Sequence, residues 1–159
     1  MTLYVKDVMV RNFDTIHIDA PVEEAIHKIL HSNVRETGYK TTSLMVVDDL
    51  NKLSGLVTMF DILYHLRPNI LNWGIDGDEI EWEGQLKYLI GNYKGQKVHH
   101  IMTYHFVVAT MNDHIMVVLD RMVKNKYRQL PVLKDDQPIG VVYISDIFFR
   151  LFPKVDIKQ

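Results

Sequence analysis

Apolar positions recur along this chain first at helical and then at strand spacing, and the whole order of stretches runs twice. Val5-Lys6-Asp7-Val8-Met9 is answered 93 residues later by Val98-His99-His100-Ile101-Met102. At the same offset Val22, Ile26 and Ile29 stand opposite Ile115, Leu119 and Met122, each trio forming one apolar stripe on a helix. The compact run Leu44-Met45-Val46-Val47 matches Leu130-Pro131-Val132-Leu133 at offset 86, so the first copy carries seven extra residues around Val34 to Thr41. Gly55-Leu56-Val57-Thr58-Met59-Phe60-Asp61 then matches Gly140-Val141-Val142-Tyr143-Ile144-Ser145-Asp146 at offset 85.

Each copy therefore predicts strand, helix, strand, turn, strand, helix. In the first, Thr15 to Ile18 reads as a short strand. Asp19 is the expected N-cap of the helix that follows, with Pro21, Glu23 and Glu24 in its first turn, where a fixed φ and negative charge suit a helix start. That helix is expected to end near His31. Leu44 to Val47 and Leu53 to Val57 flank the turn residues Asp48-Asp49-Leu50-Asn51-Lys52 and predict a hairpin. The closing helices run from Met59 to Leu66 and from Ser145 to Phe152, stopped by Pro68 and Pro153. The fold class is mixed α/β (α+β): two pseudo-symmetric repeats, at 1–66 and 98–159, each a small three-stranded sheet with two helices. One repeat buries too little alone, so the two are expected to pack together. Residues 67–97, with five glycines, two tryptophans and the acidic run Asp76, Asp78, Glu79, Glu81, Glu83, form an elaborated connector rather than a third repeat.

Composition narrows the function. At 159 residues, 47% hydrophobic and 24% charged, the chain can bury a real core. A formal charge of −2, with no clustered Lys/Arg stripe, argues against nucleic acid as a partner. The absence of cysteine excludes disulfides, thiolate metal sites and cysteine nucleophiles. No apolar run approaches the roughly 18 residues of a membrane span, and the charged amino terminus is unlike a signal peptide, so a cytoplasmic location is expected.

Val8-Met9 and Ile101-Met102 at each copy's entry, Thr15 in the first strand, Glu23-Glu24-Ala25 in the first helix, Leu130-Pro131-Val132, and the glycine, apolar, apolar, Thr/Ser, two residues, Asp pattern at Gly55 to Asp61 and Gly140 to Asp146 carry a family likeness. Together they resemble the cystathionine-β-synthase (CBS) domain, which occurs in tandem as the pair called a Bateman module. The resemblance covers nearly the whole chain and implies regulation without catalysis. CBS pairs bind adenine nucleotides or S-adenosylmethionine in two related clefts between the repeats, so AMP, ADP, ATP and S-adenosylmethionine are the candidate ligands. In the family the last aspartate of the heptad takes ribose hydroxyls and the Thr/Ser region takes phosphate. This implies ligand-binding roles for Thr15, Thr58 and Asp61 in the first copy and for Asp146 in the second. Tyr143 stands where the second Thr/Ser is expected, which turns attention to Ser145, and Arg128 lies where relatives carry a phosphate-facing base.

The chemistry of that division is physical. A helix N-terminus presents unpaired N–H groups and suits phosphate, whereas a carboxylate accepts hydrogen bonds from two neighbouring ribose hydroxyls. Competing readings stand beside it. Thr58-x-x-Asp61 is also a capping box that needs no ligand, Arg128 also reads as a solvated or ion-paired arginine, and Thr15 as a β-branched strand residue. His99, His100, His105 and His114 lack the spacing of a metal site, and no triad, P-loop or dinucleotide fingerprint is present, so neither metal nor catalysis is expected. Met116-Val117-Val118-Leu119 is apolar nearly all round its helix, which predicts a homodimer face. Two functions follow: a sensor of an adenosine-containing ligand acting on an effector protein in trans, or a ligand-free dimerisation scaffold. Tyr143, and Val108 at a position where the family prefers threonine, favour the scaffold in the second copy.

Overall fold

A computed structural model describes residues 2–32, 34–35, 38, 40–74, 76–104 and 106–153. A short helix α1 (Val5–Val8) precedes β1 (Thr15–His17), α2 (Val22–Leu30), β2 (Ser43–Val47), β3 (Leu53–Thr58) and α3 (Met59–Leu66). After the connector, which contains α4 (Gln85–Tyr93), come α5 (Ile115–Asn125), β4 (Gln129–Lys134), β5 (Gln137–Tyr143) and α6 (Ile144–Leu151). In the first sheet β1 lies parallel to β2 and β2 antiparallel to β3, with Thr15 opposite Met45 and Leu44 opposite Val57. Every residue of β2 is buried, as its continuous apolar run requires of a central strand.

The second sheet keeps the antiparallel pair β4–β5, whose two-residue turn at Asp135 and Asp136 has φ of 52° and 64°, the left-handed pair that matches strand twist in a tight hairpin. Its expected first strand is reduced to a single parallel bridge between Ala109 and Val132, held by Ala109 N–H to the Pro131 carbonyl at 2.9 Å and Leu133 N–H to the Ala109 carbonyl at 3.0 Å. One carbonyl next to this bridge is diverted: Val108 O accepts from the Arg121 guanidinium at 3.3 Å.

The start of α2 also differs from the expectation. The helix begins at Val22, with Pro21 at the boundary, and Asp19 does not cap it. Its first free amides are satisfied at long range, Val22 N–H by the Gln96 carbonyl at 2.7 Å and Glu23 N–H by the Lys94 carbonyl at 3.0 Å. The connector thus supplies what a local aspartate would have supplied. It also anchors itself through Tyr93, buried at the end of α4, whose hydroxyl donates to the Ile62 carbonyl at 2.7 Å.

The packing exchanges the two lead-in segments. Leu3, Val5 and Met9, which open the first repeat, are buried in the core of the second with Val118, Met122, Leu130 and Ile147. Val98, Ile101 and Met102, which open the second, fill the core of the first with Ile16, Val22, Leu44 and Val57. Backbone bridges seal the exchange on both sides, Val10 to Val141 on β5 and Thr103 to Leu56 on β3. Gly55 and Gly140 make the approach possible. A Cβ at Gly55 would sit 2.7 Å from Met102 Sδ and 2.8 Å from the Thr103 carbonyl oxygen, and one at Gly140 would sit 3.0 Å from Met9 Sδ and 3.1 Å from the Val10 carbonyl oxygen. A third cluster of Met45, Val141 and Tyr143, flanked by Val10, Phe13, Leu53 and Leu56, joins the two sheets.

Among the described residues, no helix is long and apolar enough to cross a membrane, and no group of three or more His, Asp or Glu is placed to hold a metal ion.

Candidate functional site

Because each lead-in crosses to the other repeat, each closing helix starts beside a segment of opposite origin. Two clefts result. The larger, about 850 Å³, holds the head of α3 with Thr58 and Asp61, together with Thr103, Arg128 and Ser145 from the second half. The smaller, about 670 Å³, runs along Asp7 to Asp14 and includes Asp146, Phe149 and Arg150 of α6.

At the head of α3 the capping box is present. Thr58 N–H donates to Asp61 Oδ2 at 2.9 Å, Asp61 N–H donates to Thr58 Oγ1 at 3.1 Å, and the Thr58 hydroxyl donates to Asp61 Oδ2 at 3.0 Å. The other carboxylate oxygen, Oδ1, accepts from the Thr103 hydroxyl at 3.1 Å. Capping therefore fills Oδ2 of Asp61 with two donors and leaves Oδ1 turned toward the opposite repeat, where, beyond the Thr103 hydroxyl, it has capacity for a further donor. Burial, reinforced by the negative charge of Asp61, pushes the Tyr93 hydroxyl up to about 12, so it stays a protonated donor to Ile62 throughout the physiological range. Arg128 is exposed on the rim; its backbone carbonyl accepts from Ile144 N–H at 2.9 Å and ties the rim to the head of α6.

The equivalent position in the second half is built differently. Tyr143 is the N-cap of α6, makes no side-chain cap hydrogen bond, and is buried. Arg35, from the extra residues of the first copy, lies over it with Cζ 3.6 Å from the ring centroid. The same guanidinium places Nη2 4.0 Å from Asp146 Oδ1 and 3.5 Å from the Ser145 hydroxyl. Arg35 lines both clefts.

Of the six residues singled out from the sequence, Thr58, Asp61, Arg128 and Ser145 converge on the larger cleft and Asp146 lies in the smaller. Ser145 thus shares a cleft with Asp61. Thr15 lines neither; it sits in β1 beside Met45, and its carbonyl accepts from Lys28 Nζ at 3.0 Å. Among the described residues of the connector, none lines either of these two clefts. His105 lies outside the described residues, as do Asn33, Glu36, Thr37 and Tyr39 in and beside the extra stretch.

The family model for the CBS domain matches residues 5–68 and 98–152. This chain belongs to the CBS-domain family. It is 28% identical over 147 residues to the uncharacterized protein MJ1225 of Methanocaldococcus jannaschii, an alignment covering 92% of this chain and 42% of that protein. The chain thus spans less than half the length of this relative. Among solved structures, the CBS domain pair of protein MJ0100 in complex with 5′-methylthioadenosine and S-adenosyl-L-methionine is similar at TM-score 0.66 and 24% identity, covering 96% of this chain and 97% of that one. CBSX2 in complex with AMP is similar at TM-score 0.65 and 22% identity, covering 93% and 95%.

Viewed as two CBS repeats, the chain shows what sequence reasoning missed. Thr103 directly follows Ile101-Met102, and its counterpart after Val8-Met9 is Val10, which has no hydroxyl; that asymmetry was readable from the duplicated pattern. Arg35 was not, because the extra stretch has no counterpart in the second repeat.

Proposed function

We propose that this chain is a regulatory ligand-sensing module that binds an adenosine-containing nucleotide in the cleft between its CBS repeats, without catalysis, in the cytoplasm. The observation that carries the reading is Asp61. Its carboxylate heads α3, is fixed by Thr58 from its own repeat and Thr103 from the other, and opens into a cleft that both repeats build. A ligand there touches both halves, so it favours the arrangement in which both fit it and shifts the balance between arrangements. Asp61 accepts ribose hydroxyls, Thr58 and the first amides of α3 receive phosphate, and Arg128 on the rim adds charge. The complexes of MJ0100 and CBSX2 with adenosine compounds support this ligand class.

Thermal unfolding with AMP, ADP, ATP and S-adenosylmethionine separately tests it. Ligand at 100 times its dissociation constant stabilises a one-site native state by about 2.7 kcal/mol, worth roughly 5 to 11 °C for a chain of this size. The ligand-induced shift, as distinct from the starting melting temperature, is expected to vanish in Asp61→Ala. No shift with any of the four, with calorimetry agreeing, would hand the function to the ligand-free scaffold reading, which the contact of Arg35 with Asp146 already favours for the smaller cleft.

The signal leaves through a surface. Met116, Val117 and Val123 on α5 are exposed, as are Met59, Phe60 and Leu63 on α3 and Phe148 and Phe152 on α6. Apolar faces of this kind mark contact with another chain, and we assign them to a homodimer that presents the module to an effector protein in trans. Sedimentation equilibrium at micromolar concentration is expected to give twice the 18.6 kDa chain mass; a monomer alone would remove the dimer.

A further inference from the structure

The two clefts differ in charge. Among the described residues, Arg35, Lys40, Lys126 and Arg128 line the Asp61 cleft against the single carboxylate of Asp61, a formal balance of +3. In the Asp146 cleft Arg11, Arg35 and Arg150 face Asp7, Asp14 and Asp146, and the charges cancel. The cation common to both clefts is also the most buried, since the Arg35 side chain is only 9% exposed. Beyond its stacking on Tyr143, Nη2 carries its polar contacts; Nε and Nη1 are buried without a hydrogen-bond partner among the described residues.

A buried guanidinium with unfilled donors is an unfavourable resting state, because the desolvation of each N–H is uncompensated. The arrangement becomes favourable when an anion supplies acceptors. Phosphoryl oxygens do so best, since a guanidinium presents five N–H donors in a rigid fork that matches them. The neighbouring groups fit the same occupant. The heads of α3 and α6 both border the larger cleft, and Lys126, whose left-handed φ of 58° ends α5, stands at its edge with Arg128.

We propose that the Asp61 cleft is a polyphosphate receptor and that Arg35 is the residue that makes it so. The ligand is an adenosine nucleotide carrying two or three phosphates, preferred over AMP and over the net cationic S-adenosylmethionine. Its outer phosphates accept from Arg35 Nε and Nη1, while Nη2 keeps its hold on Asp146 and Ser145. The same hold keeps a ribose from Asp146, so one nucleotide binds per chain. The identity of the nucleoside rests on the function proposed above; the polyphosphate preference rests on the cations alone.

Calorimetric titration of the intact chain without divalent metal tests this with ATP, AMP, S-adenosylmethionine and inorganic tripolyphosphate, on the natural protein, Arg35→Gln and the charge-keeping Arg35→Lys. ATP is expected to bind at least tenfold more tightly than AMP, with S-adenosylmethionine the weakest and one site filled. Arg35→Gln is expected to collapse the ATP-to-AMP preference below threefold and to abolish tripolyphosphate binding, while Arg35→Lys retains part of both. Ratios within one variant are insensitive to a general loss of stability. Tripolyphosphate binding that depends on Arg35 without any nucleotide binding would keep the receptor and remove the nucleotide. Equal binding of AMP and ATP, a ratio unchanged in Arg35→Gln, or tightest binding of S-adenosylmethionine would overturn the receptor and leave the nucleotide reading standing. If none of the four binds, both fall.

Discussion

Ile101→Ala is expected to destabilise the whole chain by about 3 kcal/mol, within the range of 2 to 5 for truncating a fully buried isoleucine, and to lower the melting temperature by roughly 6 to 12 °C. Ile101 is 1% exposed and belongs in sequence to the second repeat, yet it packs in the core of the first. Two residues on, Thr103 carries the bridge to Leu56 and the hydroxyl that holds Asp61. A cavity at Ile101 therefore loosens the first core and the anchor of the second repeat together. Circular dichroism and near-ultraviolet probes are expected to report one shared transition. A loss below about 1 kcal/mol, or a first repeat that melts ahead of the second, would contradict the exchanged packing.

Gly55→Ala produces the second large effect, by steric conflict in place of a void. The added methyl falls 2.7 Å from Met102 Sδ, which can swing aside, and 2.8 Å from the Thr103 carbonyl oxygen, which cannot. That carbonyl is fixed by Leu56 N–H at 3.1 Å, while Thr103 N–H donates to the Leu56 carbonyl at 2.8 Å. Overpacking of this sort costs about 2 to 3 kcal/mol, offset by roughly 0.5 kcal/mol from the stiffer unfolded chain. Gly140→Ala meets its neighbours at 3.0 and 3.1 Å, so its cost is expected to be smaller, about 1 kcal/mol before the same offset. Urea unfolding of the two variants checks the order. A Gly140→Ala that is the more damaging, or a Gly55→Ala close to neutral, would show that the lead-ins yield more readily than their ladders imply.

Local chemistry made some elements legible. Met59–Leu66 was readable to the residue because Thr58 and Asp61 cap its start and Pro68 forbids its extension, and all three act within a few residues of the helix. Asp48 likewise builds its own turn, accepting from the amides of Leu50 and Lys52 at 2.9 Å each. Asp19 misled because the start of α2 is completed by Gln96 and Lys94, more than 70 residues away, and no local pattern announces them. The connector helix α4 was missed for a related reason. Residues 67–97 read only as an elaborated connector, and the contact that holds the helix, Tyr93 on Ile62, is tertiary. In the site, Thr58, Asp61 and Asp146 were visible through duplication, while Arg35 lies in the one stretch that duplication does not cover. The crossing of the lead-ins was invisible for the opposite reason: both copies carry the same apolar motif, so the pattern is equally satisfied whichever core each one enters.

That crossing fixes what a solitary repeat can be. A chain with one lead-in and one sheet has a hole where its partner's lead-in belongs, and two such chains would have to meet and trade segments before either could fold, at a rate set by dilution. Joining them through residues 67–97 replaces the encounter by a tether, which holds the missing piece at an effective concentration on the order of millimolar. Union of the two repeats within one chain is then a first-order event, as complete in a dilute solution as in a concentrated one.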